Sequence, residues 1–238
     1  MTPRWSVIIP AFNEAQRLPP FLERVVAHFE GRDEPYEVIV VDDGSTDGTA
    51  DVVGARHLPA VRVLRLPANR GKGAAVRAGM LEARGAYRVF ADADGATPIE
   101  ELKRLEPILV AGADVVIGSR VLADPGVSVI TRPHRVAAGR VFNWLIARLG
   151  LRDIADSQCG FKAFTGPAAS RLFESLSTDG FGFDVEILLR ARAAGCRVVE
   201  VPVNWTDQAG SKVGVLRHGP GMLWQILVAR RRVGRRRP

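Results

Sequence analysis

The sequence predicts an α/β fold, a single domain built on a mainly parallel, twisted sheet with helices on both faces. Two observations carry this. Six short runs rich in Val, Ile and Leu read as strands, most of them continuously apolar, as expected for strands covered on both sides. Helical patterns separate the first five, and strand–helix alternation marks a doubly wound sheet. A third observation says where a ligand would bind. Two of the runs end in acidic residues followed by glycine, which places carboxylates at the C-terminal mouth of a parallel sheet, the edge where open α/β sheets take their ligands.

The strands are expected at residues 5–10, 36–42, 61–67, 86–92, 114–118 and 198–204. Pro10 is expected to stop the first ladder, and Pro202 argues that the last strand lies at an edge. A helix over 19–30 opens on prolines and carries Phe21, Leu22, Val25, Val26 and Phe29 at helical spacing. Further helices are expected at 46–56, 72–84 and 97–111, with Ser45 or Asp47 capping the first and Thr97 the last, where Glu100 follows three residues on. Beyond Gly118 the rhythm breaks. An amphipathic helix is expected over 132–149, a loop over 156–164, a short helix from Pro167, a helix over 183–194 and a final one over 222–232.

Composition bounds the class. The chain has 238 residues, is 47% hydrophobic and carries a net charge of +7, with arginines crowded into residues 230–237. A core of useful size needs no staples at this length. Cys159 and Cys196 are the only cysteines, so no disulfide framework is expected and a reduced, cytoplasmic setting fits. The first strand follows Met1 almost at once, leaving no room for a signal peptide, and no apolar stretch approaches the ~20 residues that span a bilayer. The basic tail behind an apolar helix fits an anionic membrane surface, hence peripheral placement on the inner face. No aromatic stacking platform accompanies it, which argues against nucleic acid. The four histidines lack metal-ligand spacing with one another or with cysteine.

The chemistry concentrates in a few segments. Asp92-Ala93-Asp94 ends the fourth strand; alternating residues on extended chain point to one side, so both carboxylates can converge on one Mg²⁺ or Mn²⁺ that also binds phosphate oxygens. Asp42-Asp43-Gly44-Ser45 ends the second strand, with Asp42 placed to accept from a base or ribose. Glu14 follows the first strand, where it serves either the site or the next helix terminus. Asn69-Arg70-Gly71-Lys72-Gly73 reads as an anion cradle at a helix start or as a tight turn, and lacks the pattern of a Walker A loop. Arg120, after the fifth strand, and Lys212, beyond the last, offer cations to a diphosphate.

Taken together, Val7-Ile8-Ile9-Pro10-Ala11-Phe12-Asn13-Glu14, Val40-Val41-Asp42-Asp43-Gly44-Ser45 and Asp92-Ala93-Asp94-Gly95-Ala96-Thr97 resemble a family 2 glycosyltransferase with the nucleotide-diphospho-sugar (GT-A) fold. Asn69 to Arg77 and Asp156-Ser157-Gln158-Cys159-Gly160-Phe161-Lys162 are similar to the dolichyl-phosphate glucosyltransferase branch of the polyprenyl-phosphate sugar synthases. The resemblance implies that Pro10, Phe12, Glu14, Val40 and Asp42 line a nucleoside pocket. It implies that Asp92, Ala93 and Asp94 hold metal, diphosphate and sugar, and that Arg120 and Lys212 face donor or acceptor phosphates. It implies a donor, UDP-glucose favoured, and a polyprenyl-phosphate acceptor. The mannosyl branch often carries glutamine where this chain has Ala96, which leans away from GDP-mannose. On this reading residues 1–217 form the catalytic domain, with a nucleotide-binding half to about 120 and an acceptor half over 121–217; residues 218–238 add an amphipathic helix and basic tail. A soluble hydroxyl acceptor would instead need a base, for which Asp184 and Glu186 are the candidates.

Overall fold

The computed structural model describes residues 2–131, 146, 151–208 and 215–234. In chain order the elements are β1 (Trp5–Ala11), α1 (Leu18–Glu30), β2 (Tyr36–Asp42), α2 (Thr49–Gly54), β3 (Val61–Arg65), α3 (Lys72–Glu82) and β4 (Tyr87–Ala91). A 3₁₀ turn (Ile99–Glu101) leads into α4 (Leu102–Val110), then β5 (Val115–Ser119), β6 (Val129–Ile130), β7 (Phe161–Thr165), α5 (Gly166–Glu174), α6 (Phe183–Ala193), β8 (Val198–Pro202), β9 (Trp205–Thr206) and α7 (Val215–Gly234).

Seven strands form one sheet in the order β3-β2-β1-β4-β7-β5-β8, and β6 pairs with β9 beside it. All pairs of the large sheet are parallel except those of β7, which runs antiparallel to β4 and β5. Strand pleating sends alternate residues to opposite faces. Trp5, Val7, Ile9 and Ala11 join Val38 and Val40 in one buried cluster with α1, α2 and α4. Ile8, Ile39 and Val41 join the other, with α3, α5, α6 and Ile226 of α7. The two-faced cover is what the continuously apolar strands predict. Each fully buried side chain such as Leu22 or Phe29 contributes about 1.5–3 kcal/mol.

Three expectations are corrected. The segment over 156–164 is not wholly a loop: its end enters β7, inserted between β4 and β5. Its sequence reads poorly as a strand because Lys162 interrupts so short an apolar run. Pro10 does not end β1, which stays paired to β2 through Ala11↔Asp42; the pairing with β4 stops earlier, at Ile8↔Phe90. Thr97 caps nothing: Pro98 precedes the 3₁₀ turn, and Glu100 instead accepts from Arg24 Nε at 2.7 Å. Pro202 does fall on the sheet's edge strand, β8. Of the helix expected over 132–149 only Ile146 is among the described residues; it is helical and buried in the second cluster.

Candidate active site

The C-terminal ends of β1, β2, β4 and β5, with the start of β7, meet at one sheet edge. The loops after β1 and β2 are stitched to each other. Ser45 Oγ accepts from Asn13 N, Thr49 Oγ1 from Glu14 N and Asp47 from Ala15 N, while Asn13 returns an acceptor to Thr46 N. Asp47 also accepts from Thr49 N, so it holds the first turn of α2 although Gly48 occupies the cap position. These bonds fix the residues expected to meet a nucleoside. Asp42 is buried and accepts from Ser45 N at 3.0 Å; Phe12 is exposed; Pro10 is buried within β1, as is Ala11 after it. Val40 lies deeper, wholly inside the core cluster with Ile9, so its side chain supports the tip and has no surface on it.

Asp92 and Asp94 follow β4. Asp92 N donates to Gly160 O, Gly95 N closes a turn onto Asp92 O, and Asp94 Oδ1 accepts from Ala96 N at 3.1 Å. Burial, and then the neighbouring charge of Asp92, push the Asp94 carboxyl above the ordinary aspartate range, the behaviour of two like charges held close. Ala93 between them is buried. Two cations face the pair. Lys72 Nζ reaches Asp92 Oδ1 at 2.6 Å, and Arg17 Nη1 stands 4.0 Å from Asp94 Oδ2 while bonding Glu14. Burial alone would lower the Lys72 ammonium; Asp92 and Asp184 outweigh it and hold it raised and charged. Phe90 and Phe183 wall the ammonium, each ring centroid 6.0 Å away.

The expected backbone cradle before α3 is already filled. Asp43 accepts from Arg70 N and Gly71 N, and Ala74 N donates to Asp179 O. What the loop offers a ligand is the Lys72 side chain. Arg120, after β5, forms a two-pronged pair with Asp156 at 2.7 and 2.8 Å and stacks on Trp205. Burial would lower this guanidinium, but Asp156 outweighs it and raises it; Asp156 is itself held below its ordinary range by Arg120 against its own burial. Burial, aided by Asp156, pushes the neighbouring Cys159 thiol up to about 11, so it stays protonated near neutral pH. Lys212 lies outside the described residues.

The family model for Glycosyl transferase family 2 matches residues 6–174 of this chain. This chain belongs to that family. The glycosyltransferase is 39% identical over 223 residues to the dolichyl-phosphate beta-glucosyltransferase of Trichomonas vaginalis, covering 88% of this chain and 66% of the relative. It is 42% identical over 223 residues to that of Drosophila melanogaster, with 87% and 68% covered. The chain thus spans about two thirds of the length of the curated relatives it matches. Its fold is similar to glucosyl-3-phosphoglycerate synthase from Mycobacterium tuberculosis, solved with Mn²⁺ and UDP-glucose, at TM-score 0.70 and 21% identity over 96% of this chain and 79% of that one. The GT-A fold expected from the motifs is the one observed.

In this glycosyltransferase the donor set fits a divalent cation. Two carboxylates from one strand tip, each raising the cost of the other's charge, match the one or two protein carboxylates that Mg²⁺ and Mn²⁺ usually take beside a diphosphate. Three contributors were not legible in the sequence. Arg17 sits at the N-terminus of α1 and touches Asp94 only because the first loop folds back; its spacing from Glu14 was the one available signal. Glu200 accepts from Ala155 N and Asp156 N, fixing the carboxylate that holds Arg120. Gly160 faces Asp92 so closely that a Cβ there would lie 1.9 Å from Oδ2.

Proposed function

We propose that this chain transfers glucose from UDP-glucose to a polyprenyl phosphate of the dolichyl type, inverting the anomeric centre. The supporting observation is the disposition of carboxylates. Asp92 and Asp94 sit at the sheet edge among Lys72, Arg17 and Arg120, a setting for a diphosphate. The two candidate bases for a hydroxyl acceptor are engaged elsewhere. Asp184 is buried against Lys162, and Glu186 accepts from Ser177, Thr178 and Arg190. A phosphate monoester is anionic near neutral pH and needs no base.

Asp92 and Asp94 would hold Mg²⁺ or Mn²⁺, which would supply positive charge against the leaving diphosphate. Glu14, Asp42 and the β1 tip take the nucleoside, and Lys72 faces the diphosphate. Residues 1–120 thereby serve the donor and 121–217 the acceptor. An acceptor oxygen attacks the anomeric carbon as the bond from that carbon to the UDP oxygen breaks, and the in-line geometry inverts the centre. Arg120 also borders a shallow, open surface depression lined by Val121, Leu122, Val127 and Val129 together with the carboxylate of Asp124. Ala96 presents only a methyl beside Asp94, consistent with glucose over mannose.

The C-terminal helix supplies a peripheral contact with anionic lipid, bringing the enzyme to its acceptor. Among the described residues no helix is long and apolar enough to cross a membrane. Incubation with labelled UDP-glucose or GDP-mannose and either polyprenyl phosphate or soluble alcohols tests the reading. Metal-dependent labelling of the lipid phosphate from UDP-glucose is expected; labelling of alcohols alone would refute it.

A further inference from the structure

We infer that Asp43 is a positioning residue that sets Lys72 against the cation site, so that the nucleoside end and the diphosphate end of the donor site are built as one unit. Asp42 and Asp43 are adjacent but divide their work. Asp42 turns toward its own loop, accepting from Ser45 N, at the place where the nucleoside is expected. Asp43 turns across the sheet edge. Its carboxylate is buried, and both oxygens are used: Oδ1 accepts from Arg70 N and Oδ2 from Gly71 N, each at 2.8 Å. The next residue, Lys72, begins α3 and places its ammonium 2.6 Å from Asp92 Oδ1.

The loop is clamped from its other side as well. Gly71 has φ +104°, and a Cβ there would lie 2.6 Å from Asp179 O. Two charge-assisted amide bonds on consecutive residues leave the backbone little freedom to rotate. A long lysine side chain is otherwise among the most mobile groups in a protein, and aiming its base lowers the ordering cost of placing its tip. Asp43 N in turn donates to Ala11 O, at the tip of β1. A displacement at the nucleoside tips is therefore carried to Lys72 through one rigid carboxylate.

The inference rests on reading Lys72 as a group that faces the donor diphosphate, and its test separates the two. UDP affinity with Mn²⁺ is measured by calorimetry, and thermal unfolding recorded, for Asp43→Asn, Lys72→Met and the double variant; the structure of Asp43→Asn is solved without ligand. Asp43→Asn should weaken UDP roughly 10- to 100-fold, as loss of a supporting hydrogen-bond partner typically does. The double variant should bind no worse than Lys72→Met. In the structure Lys72 Nζ should leave Asp92 while the sheet register stays intact. Multiplicative losses, or a Lys72–Asp92 pair unmoved in Asp43→Asn, would overturn the positioning role. If the wild type binds no UDP, the donor reading fails and the structure of the variant alone decides. Should Asp43→Asn not fold, Gly71→Ala shifts the same loop from its far side and should show the same non-additivity with Lys72→Met.

Discussion

Gly160 has no side chain, and Asp92 occupies the space one would fill. The two residues are also tied by a backbone bond, Asp92 N to Gly160 O. Gly160→Ala must therefore push the carboxylate rather than the strand. A displacement of about 1 Å in a catalytic group can cost about 10²-fold. We expect Gly160→Ala to lose at least that much in kcat, with the midpoint of thermal unfolding nearly unchanged; kinetics at saturating donor beside a melting curve check both. At this scale the sequence was informative where chemistry repeats locally. Asp92 and Asp94 declare themselves by alternation at a strand tip, and Asp42 by the glycine after it. Asp43, Gly160 and Arg17 do not, because the partner that gives each its role lies tens of residues away or across a fold-back.

β7 is the element the sequence conceals. A lysine at the second position of a five-residue strand reads as a break, yet Lys162 is wholly buried, donating to Asp184 and to Cys159 O at 2.6 Å. Its ammonium also lies 5.3 Å from the Phe90 ring centroid. Burial raises the Asp184 carboxyl, and Lys162 and Lys72 pull against it. Breaking such a buried pair by removing one partner typically costs about 3–5 kcal/mol, since the other charge is stranded. Lys162→Met should lower unfolding stability by that amount in urea, and Lys162→Met with Asp184→Leu should recover much of it. If the single variant is as stable as the wild type, the pair does not carry the packing described. The parallel strands around β7 were legible because residues buried on both faces leave an unbroken apolar record; an antiparallel insert held by a charge does not.

For the whole molecule, the two covered faces, the acidic edge and the placement of Pro202 followed from pattern alone. The large-scale feature that needed coordinates is which side of the last helix faces out. Met222, Ile226 and Ala229 are buried, whereas Trp224 and Leu227 are 66% and 43% exposed, just ahead of exposed Arg230 and Arg231. An aromatic and an aliphatic side chain beside cations suit the headgroup boundary of an anionic membrane. Flotation with vesicles containing anionic lipid should recover the wild type and lose most of a Trp224→Ser/Leu227→Ser variant, with UDP affinity unchanged; equal recovery of both would exclude this face. The central claim concerns the sheet edge itself. Calorimetry of UDP with and without Mn²⁺, on the wild type and on Asp94→Asn, addresses it most directly. The wild type should bind UDP far more tightly with the ion, and Asp94→Asn should lose that gain; UDP binding of equal strength in a chelator would contradict it.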